Sequence, residues 1–138
     1  AVTSTFKKEE KLSSTKATEF LFNNGKSFSE FPFRIIHSLN EIESEYPAQI
    51  LISVPKKRFK RAVDRNRIKR QISAAYRLSK DELYKNISKL DHTLTIAIVY
   101  TSSQQESYDK ICSKIILSLQ RLAKVYEQKD ELDIDTSN

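Results

Sequence analysis

A single glycine, Gly25, serves all 138 residues, and this scarcity removes whole classes of fold and site. Phosphate-binding P-loops and dinucleotide fingerprints both need several glycines, because the backbone must approach a phosphate closely. What remains is a chain of regular elements, and its apolar periodicity sets them out. Ser13 or Ser14 is placed to cap a short helix reaching about Asn24, with Ala17, Phe20 and Leu21 inward and Gly25 at a left-handed C′ position. Phe28 to Ser38 reads as strand, with Pro32 marking an edge, a bulge or a break. Residues 39–47 read as an acidic loop, and Ile50 to Val54 as a short buried strand. A helix from Arg61 or Ala62 to about Leu78 carries Ile68, Ile72, Ala75 and Tyr76 on one arc. Asn66, Lys69, Arg70, Ser73 and Arg77 fall well away from that arc.

Ser79 with Glu82 has the spacing of a capping box for a further short helix bearing Leu83, Ile87 and Leu90. Leu94 to Tyr100 alternates as a strand, and Ser103 with Glu106 forms a second such box. The helix after it carries Tyr108, Ile111, Ile115, Leu119, Leu122 and Tyr126 on one face. The order predicts an α+β domain with one sheet and helices packed against it. The domain is expected over 1–126, with residues 1–11 a loose arm and 127–138 an acidic, disordered tail.

Charge is localised. Residues 56–70 hold nine basic residues and one acid, Asp64, so this window carries +8 of a chain whose net charge is +6, leaving −2 for the other 123 residues. A single cationic patch on a slightly acidic protein is the electrostatic footprint of a polyanion-binding surface. The competing reading is a solvated charged helix, but such helices mix signs and this window does not. Arginine adds a planar fork of donors that matches phosphate oxygens and never loses its charge. Asn66, between two arginines, is placed to hold a neighbouring fork. Phe59 and Tyr76 lie near the patch either as stacking rings or as core.

Other chemistry is poorly supplied. His37, His92 and Cys112 are scattered without ligand spacing, so neither a zinc site nor a cofactor site is expected on the protein. Glu41, Glu43 and Glu45, and the acids of the tail, follow no strand that would fix them around Mg²⁺, and read as solvated loop acids. No apolar run approaches the ~18 residues of a membrane span, and the opening residues give no reason to expect an export leader. A lone, buried thiol at Cys112 fits a reduced cytoplasmic protein.

The segment Arg61-Ala62-Val63-Asp64-Arg65-Asn66-Arg67-Ile68-Lys69-Arg70 resembles the signature of the bacterial ribonuclease P protein family, meeting its fixed positions at Ala62, Arg65, Asn66, Lys69 and Arg70. The resemblance extends over about residues 6 to 126. It departs from some members at Thr18 and Ile36, where they carry aromatics, and from many at Ser73, where they carry arginine. The resemblance implies a fold like the second domain of ribosomal protein S5, with parallel strands before and after the basic helix joined by a left-handed βαβ crossover, an exception to the usual hand. It also implies a division of labour. A large RNA subunit holds Mg²⁺ and cuts the precursor tRNA. The protein, a monomer in a 1:1 complex, docks on it through Lys56, Lys57, Arg58, Lys60, Arg61, Arg65, Asn66, Arg67, Lys69 and Arg70. A cleft between the sheet and the first and last helices, including Phe22, Phe33 and Ile36, would hold the single-stranded 5′ leader. The rival functions are a ribosomal or general RNA-binding protein of similar fold, a DNA-binding helix module, and a self-sufficient nuclease.

Overall fold

The computed structural model describes residues 15–40, 48–87 and 93–136. Its elements are α1 (Thr15–Asn24), β1 (Lys26–Glu30), β2 (Phe33–Asn40), β3 (Ala48–Ser53), α2 (Ala62–Ile87), β4 (Thr93–Tyr100) and α3 (Tyr108–Thr136). The four strands form one mixed sheet in the order β1-β2-β4-β3. β2 is antiparallel to β1 and β4, and β3 runs parallel to β4 with Ile50 opposite Ile96.

Strand alternation divides the molecule into three layers. Phe33 and Ile35 of β2, Ile50 of β3, and Leu94, Ile96, Ile98 and Tyr100 of β4 join Ile68, Ile72 and Tyr76 of α2 and Ile111, Ile115, Leu119 and Leu122 of α3 in the main core. The residues between them face the other way, where Ala17 and Leu21 of α1 pack on Ile36 and Ala97. The buried residues of α1 are that i, i+4 pair, and Phe20 is exposed rather than inward. β4 is buried along almost its whole length because helices cover both of its faces.

Several local expectations are corrected or refined. The edge, bulge or break expected at Pro32 is a hairpin turn formed by Phe31 and Pro32, so Phe28 to Ser38 spans two strands. Gly25 does not adopt positive φ. Glycine is needed there for closeness instead: a Cβ would collide with the Leu21 carbonyl oxygen and lie 2.9 Å from Ile36 Cγ2. The helices expected on either side of Ser79 are one continuous α2. No Gly or Pro interrupts it, and Lys80 continues the inner stripe between Tyr76 and Leu83, its ammonium 5.6 Å from the Tyr84 ring centre. Leu90 lies outside the described residues. Lastly, α3 is capped by Ser107, whose Oγ accepts from the Lys110 N–H at 3.2 Å. Glu106 instead accepts from the Ser102 hydroxyl at 2.8 Å. The helix continues past Tyr126 to Thr136, across most of the segment expected to be disordered, which contains neither Gly nor Pro.

Three substitutions check these assignments. Gly25→Ala should lower unfolding stability by about 2 kcal/mol, because a backbone carbonyl must move to admit the methyl group. In thermal or denaturant melts Ser107→Ala should cost ~1 kcal/mol as a lost cap, whereas Ser79→Ala should change stability by less than ~0.5 kcal/mol. The reverse order would mean that α2 is broken at Ser79.

Candidate nucleic-acid interface

The basic segment begins where β3 ends, at the edge of the sheet, and continues into α2. Phe59 is buried and packs its ring 5.8 Å from that of Tyr100, which anchors the loop from beneath. The loop closes on itself through Arg58 N–H and Phe59 N–H, both directed at the Pro55 carbonyl at 3.1 and 3.4 Å. Arg65 then ties it to the helix. Its Nη1 donates to the carbonyl oxygens of Phe59 at 2.9 Å and Lys60 at 2.8 Å. The guanidinium of Arg65 is therefore partly a structural brace, a role that the motif alone does not reveal.

The remaining basic groups point outward. At 100° per residue, Asn66, Arg70 and Arg77 lie opposite the buried stripe of Ile68, Ile72 and Ala75, and Arg67 and Lys69 flank them. Asn66, Arg67, Arg70 and Arg77 are exposed and Lys69 is half-buried. Lys56, Lys57, Lys60 and Arg61 are exposed on the preceding loop. Among the described residues the one ion pair within this segment joins Arg61 to Asp64 at 4.0 Å, with the Arg61 side chain still 77% exposed. Asp64 also accepts from Gln105 at 3.1 Å, and Arg58 donates to Ser103 at 3.4 Å, so the loop after β4 supports the basic loop from the side. Val63, Asn66, Lys69, Arg70 and Ser73 line a shallow groove along the outer face of α2. The positive end of the α2 dipole lies at the start of this ridge and adds to its field.

The aromatic candidates near the patch belong to the core. Phe59 is buried, and Tyr76 is fully buried with its hydroxyl 2.9 Å from that of Tyr84. The expected leader cleft is rearranged as well. α1 and α3 lie on opposite faces of the sheet, so no single cleft has both as walls. Phe33 is 1% exposed on the α2/α3 face, edge-on to Tyr100, and cannot offer its ring to a ligand beside α1. Ile36 does face α1 but is buried under it, whereas Phe22 is 47% exposed. α1 packs on β2 and β4, leaving β3 as an open shelf on that face, with Gln49, Leu51 and Ser53 partly exposed. Arg34 is exposed on the same face, opposite Val99, which in turn pairs with Ser53.

His37 is structural. It is buried, its Nδ1 shares a 2.6 Å hydrogen bond with the Tyr126 hydroxyl, and the two rings meet edge-on. Burial raises the Tyr126 hydroxyl pKa well above its usual range, so it remains a neutral partner. His92, Glu41, Glu43 and Glu45 lie outside the described residues. Cys112 is half-buried against the core rather than fully enclosed. Among the described residues no three His, Cys, Asp or Glu side chains gather as a metal site, and no helix is long and apolar enough to cross a membrane.

Comparison with known proteins gives a consistent result. The family model described as ribonuclease P matches residues 6–123. The ribonuclease P protein component of Porphyromonas gingivalis is 34% identical over 116 residues, covering 84% of this chain and 85% of that protein. That of Chlorobaculum tepidum is 36% identical over 91 residues, 61% of this chain and 59% of the other. In structure the chain is similar to the RNase P protein of Thermotoga maritima, with a TM-score of 0.63 at 20% identity over 81% of this chain and 96% of that one. The Staphylococcus aureus RNase P protein gives a TM-score of 0.56 at 20% identity over 86% and 95%. At such identity the structural likenesses speak for the fold.

The two roles of the basic side chains are separable by melting experiments. Arg65→Ala should lower stability by ~1 kcal/mol, because two loop carbonyls lose a charged donor at a partly exposed site. Arg67→Ala with Arg70→Ala should leave the melting temperature unchanged, and a large drop would mark those two as structural.

Proposed function

The chain belongs to the ribonuclease P protein component family, part of a ribonucleoprotein endoribonuclease of tRNA processing, and from that premise we propose that it docks on the RNA subunit through the α2 ridge while the RNA performs the cut. The observation that carries this reading is the ridge itself: cations aligned on one loop and one helix, with a single internal ion pair among the described residues. Crowded phosphates repel one another, and guanidinium and ammonium groups held at fixed spacing neutralise them while releasing condensed counterions. Such contacts fix position without reading bases. Lys56, Lys57, Lys60, Arg61, Arg67, Lys69 and Arg70 supply the charge. Asn66 and Arg70 face the groove on the outer side of α2. Arg58 and Arg65 contribute while also holding the loop.

The precursor's single-stranded 5′ leader takes the other face, along the shelf of Leu51, Ser53 and Val99. Arg34 is the cation available there, and α1 offers the exposed ring of Phe22. Phe33 has no part in this, and Ile36 contributes only as the floor under α1. One protein binds one RNA. Mg²⁺ would be held by the RNA and would supply the Lewis-acid chemistry of the cut there. The protein's own contribution is to lower the ionic cost of assembling RNA and precursor.

The test is cleavage of precursor tRNA by the RNA subunit at low Mg²⁺, with and without the protein. The protein should stimulate cleavage, and its affinity for the RNA should fall steeply with salt, by about 10³-fold or more between 50 and 200 mM if six or more phosphates are neutralised. Arg67→Ala with Arg70→Ala should flatten the slope of log K against log salt by about 2 and reduce stimulation. A flat salt response in the unaltered protein would overturn the docking reading.

A further inference from the structure

Several aromatic rings are exposed and serve neither the core nor the ridge, and Phe31 is the most exposed of them among the described residues. Phe31 occupies the turn of the β1–β2 hairpin and is 53% exposed. Single exposed rings are common on protein surfaces, but this one is mounted in a particular way. Pro32, its neighbour, is buried and accepts a hydrogen bond from the Thr101 N–H at 2.8 Å, which fastens the turn to the end of β4. Lys110, in the first turn of α3, places its Nζ 5.1 Å from the Phe31 ring centre. Lys110 is itself positioned by Glu106 at 3.1 Å, and Glu106 also accepts from the Ser102 hydroxyl. The other carboxylate beside the turn, Glu30, is engaged by Lys114 and Arg121 at 3.5 and 3.0 Å.

The position matters as much as the mounting. Two residues beyond Thr101, Ser103 accepts the hydrogen bond from Arg58 of the basic loop. Two residues span at most ~7 Å, so the hairpin turn and the basic loop flank the same short segment, within reach of a few nucleotides of one strand. Lys110 and the α3 helix that carries it belong to the α2/α3 layer, opposite the α1 shelf. An RNA docked on α2 therefore has Phe31 near the margin of its footprint, whereas the shelf lies on the other face of the sheet.

We propose that Phe31 is a stacking platform for an unpaired base of the RNA subunit, with Lys110 beneath the ring and available to the adjacent phosphate. This inference rests on the docking reading above. Aromatic rings take bases by their π-faces irrespective of sequence, and each such stack contributes about 5- to 150-fold in affinity. A cation close to the ring and the phosphate adds attraction that a plain exposed phenylalanine lacks.

The chain contains no tryptophan, so Phe31→Trp introduces a unique fluorescent reporter at the proposed contact. Titration with the RNA subunit at low salt should quench its emission in step with binding followed independently by filter retention. Phe31→Ala should weaken binding by about 5-fold or more, with an unchanged melting temperature, and Phe31→Trp should retain the unaltered affinity. Unquenched emission on fully bound RNA, or full affinity in the folded alanine variant, overturns the platform and leaves the docking reading standing. Quenching by a single-stranded leader oligonucleotide but not by the RNA subunit overturns the assignment to the RNA subunit. Failure of the unaltered protein to bind the RNA overturns both.

Discussion

Tyr100 joins the core to the surface that matters. Its ring is fully buried, edge-on to Phe33 at 6.0 Å and tilted against Phe59 at 5.8 Å. Its hydroxyl reaches past the end of β4, donating to the Gln104 carbonyl at 2.6 Å and accepting from the Glu106 N–H at 2.9 Å. Burial raises its pKa, which keeps that hydroxyl a donor. The loop it folds then distributes three supports: Ser103 to Arg58, Gln105 to Asp64, and Glu106 to Lys110. Loss of this ring would therefore disturb the basic loop, the start of α2 and the start of α3 together.

Charge and packing are segregated in consequence. α2 has one stripe in the core and the opposite stripe in solvent; of the motif's cations Arg70 falls on the second, Arg67 and Lys69 flank it, and Arg65 turns back to the loop. The long side chains need no internal partners, since their stems lie along the helix while their heads stay hydrated. Two acids near the β1–β2 turn behave differently. Glu106 is held below the usual carboxylate range, first by the Ser102 hydroxyl and then by Lys110. Glu30 binds α3 to the edge strand through Lys114 and Arg121, the latter 4.1 Å over the Phe28 ring. Acids on this side of the fold are structural fasteners for cations, and the ridge on α2 is left largely without them.

The sequence made some of this legible and concealed the rest for local reasons. Periodicity located β4, the inner face of α2 and the inner face of α3 from Ile111 to Tyr126, because those elements bury a regular stripe. Tyr108, at the α3 start, is exposed since the packing has not yet begun there. The break expected at Ser79 came from a pattern with capping spacing but no change in the stripe, which Lys80 continues. Pro32 signals an interruption between β1 and β2, but its nature as a hairpin turn is not legible, because the turn lacks the Asn-Gly or Asp-Gly signal of short hairpins. The family likeness alone puts Phe33 on a ligand face. Ile36 packs under α1, and a separation of three residues along one strand puts Phe33 on the other side of the sheet.

The least legible feature is the work done by Arg65. A run of cations suggests equivalent phosphate contacts, yet this side chain braces two carbonyls of the loop that carries its neighbours. The distinction has an energetic meaning. A loop ordered only on contact with RNA would lose conformational entropy at that moment, and the affinity of every cation on it would be reduced accordingly. Phe59 beneath the loop and Arg65 beside it hold Lys56 to Arg61 in place before any RNA arrives. The ridge owes its usefulness to this restraint as much as to its charge, since the same cations on an untethered segment would attract polyanions without fixing where they sit.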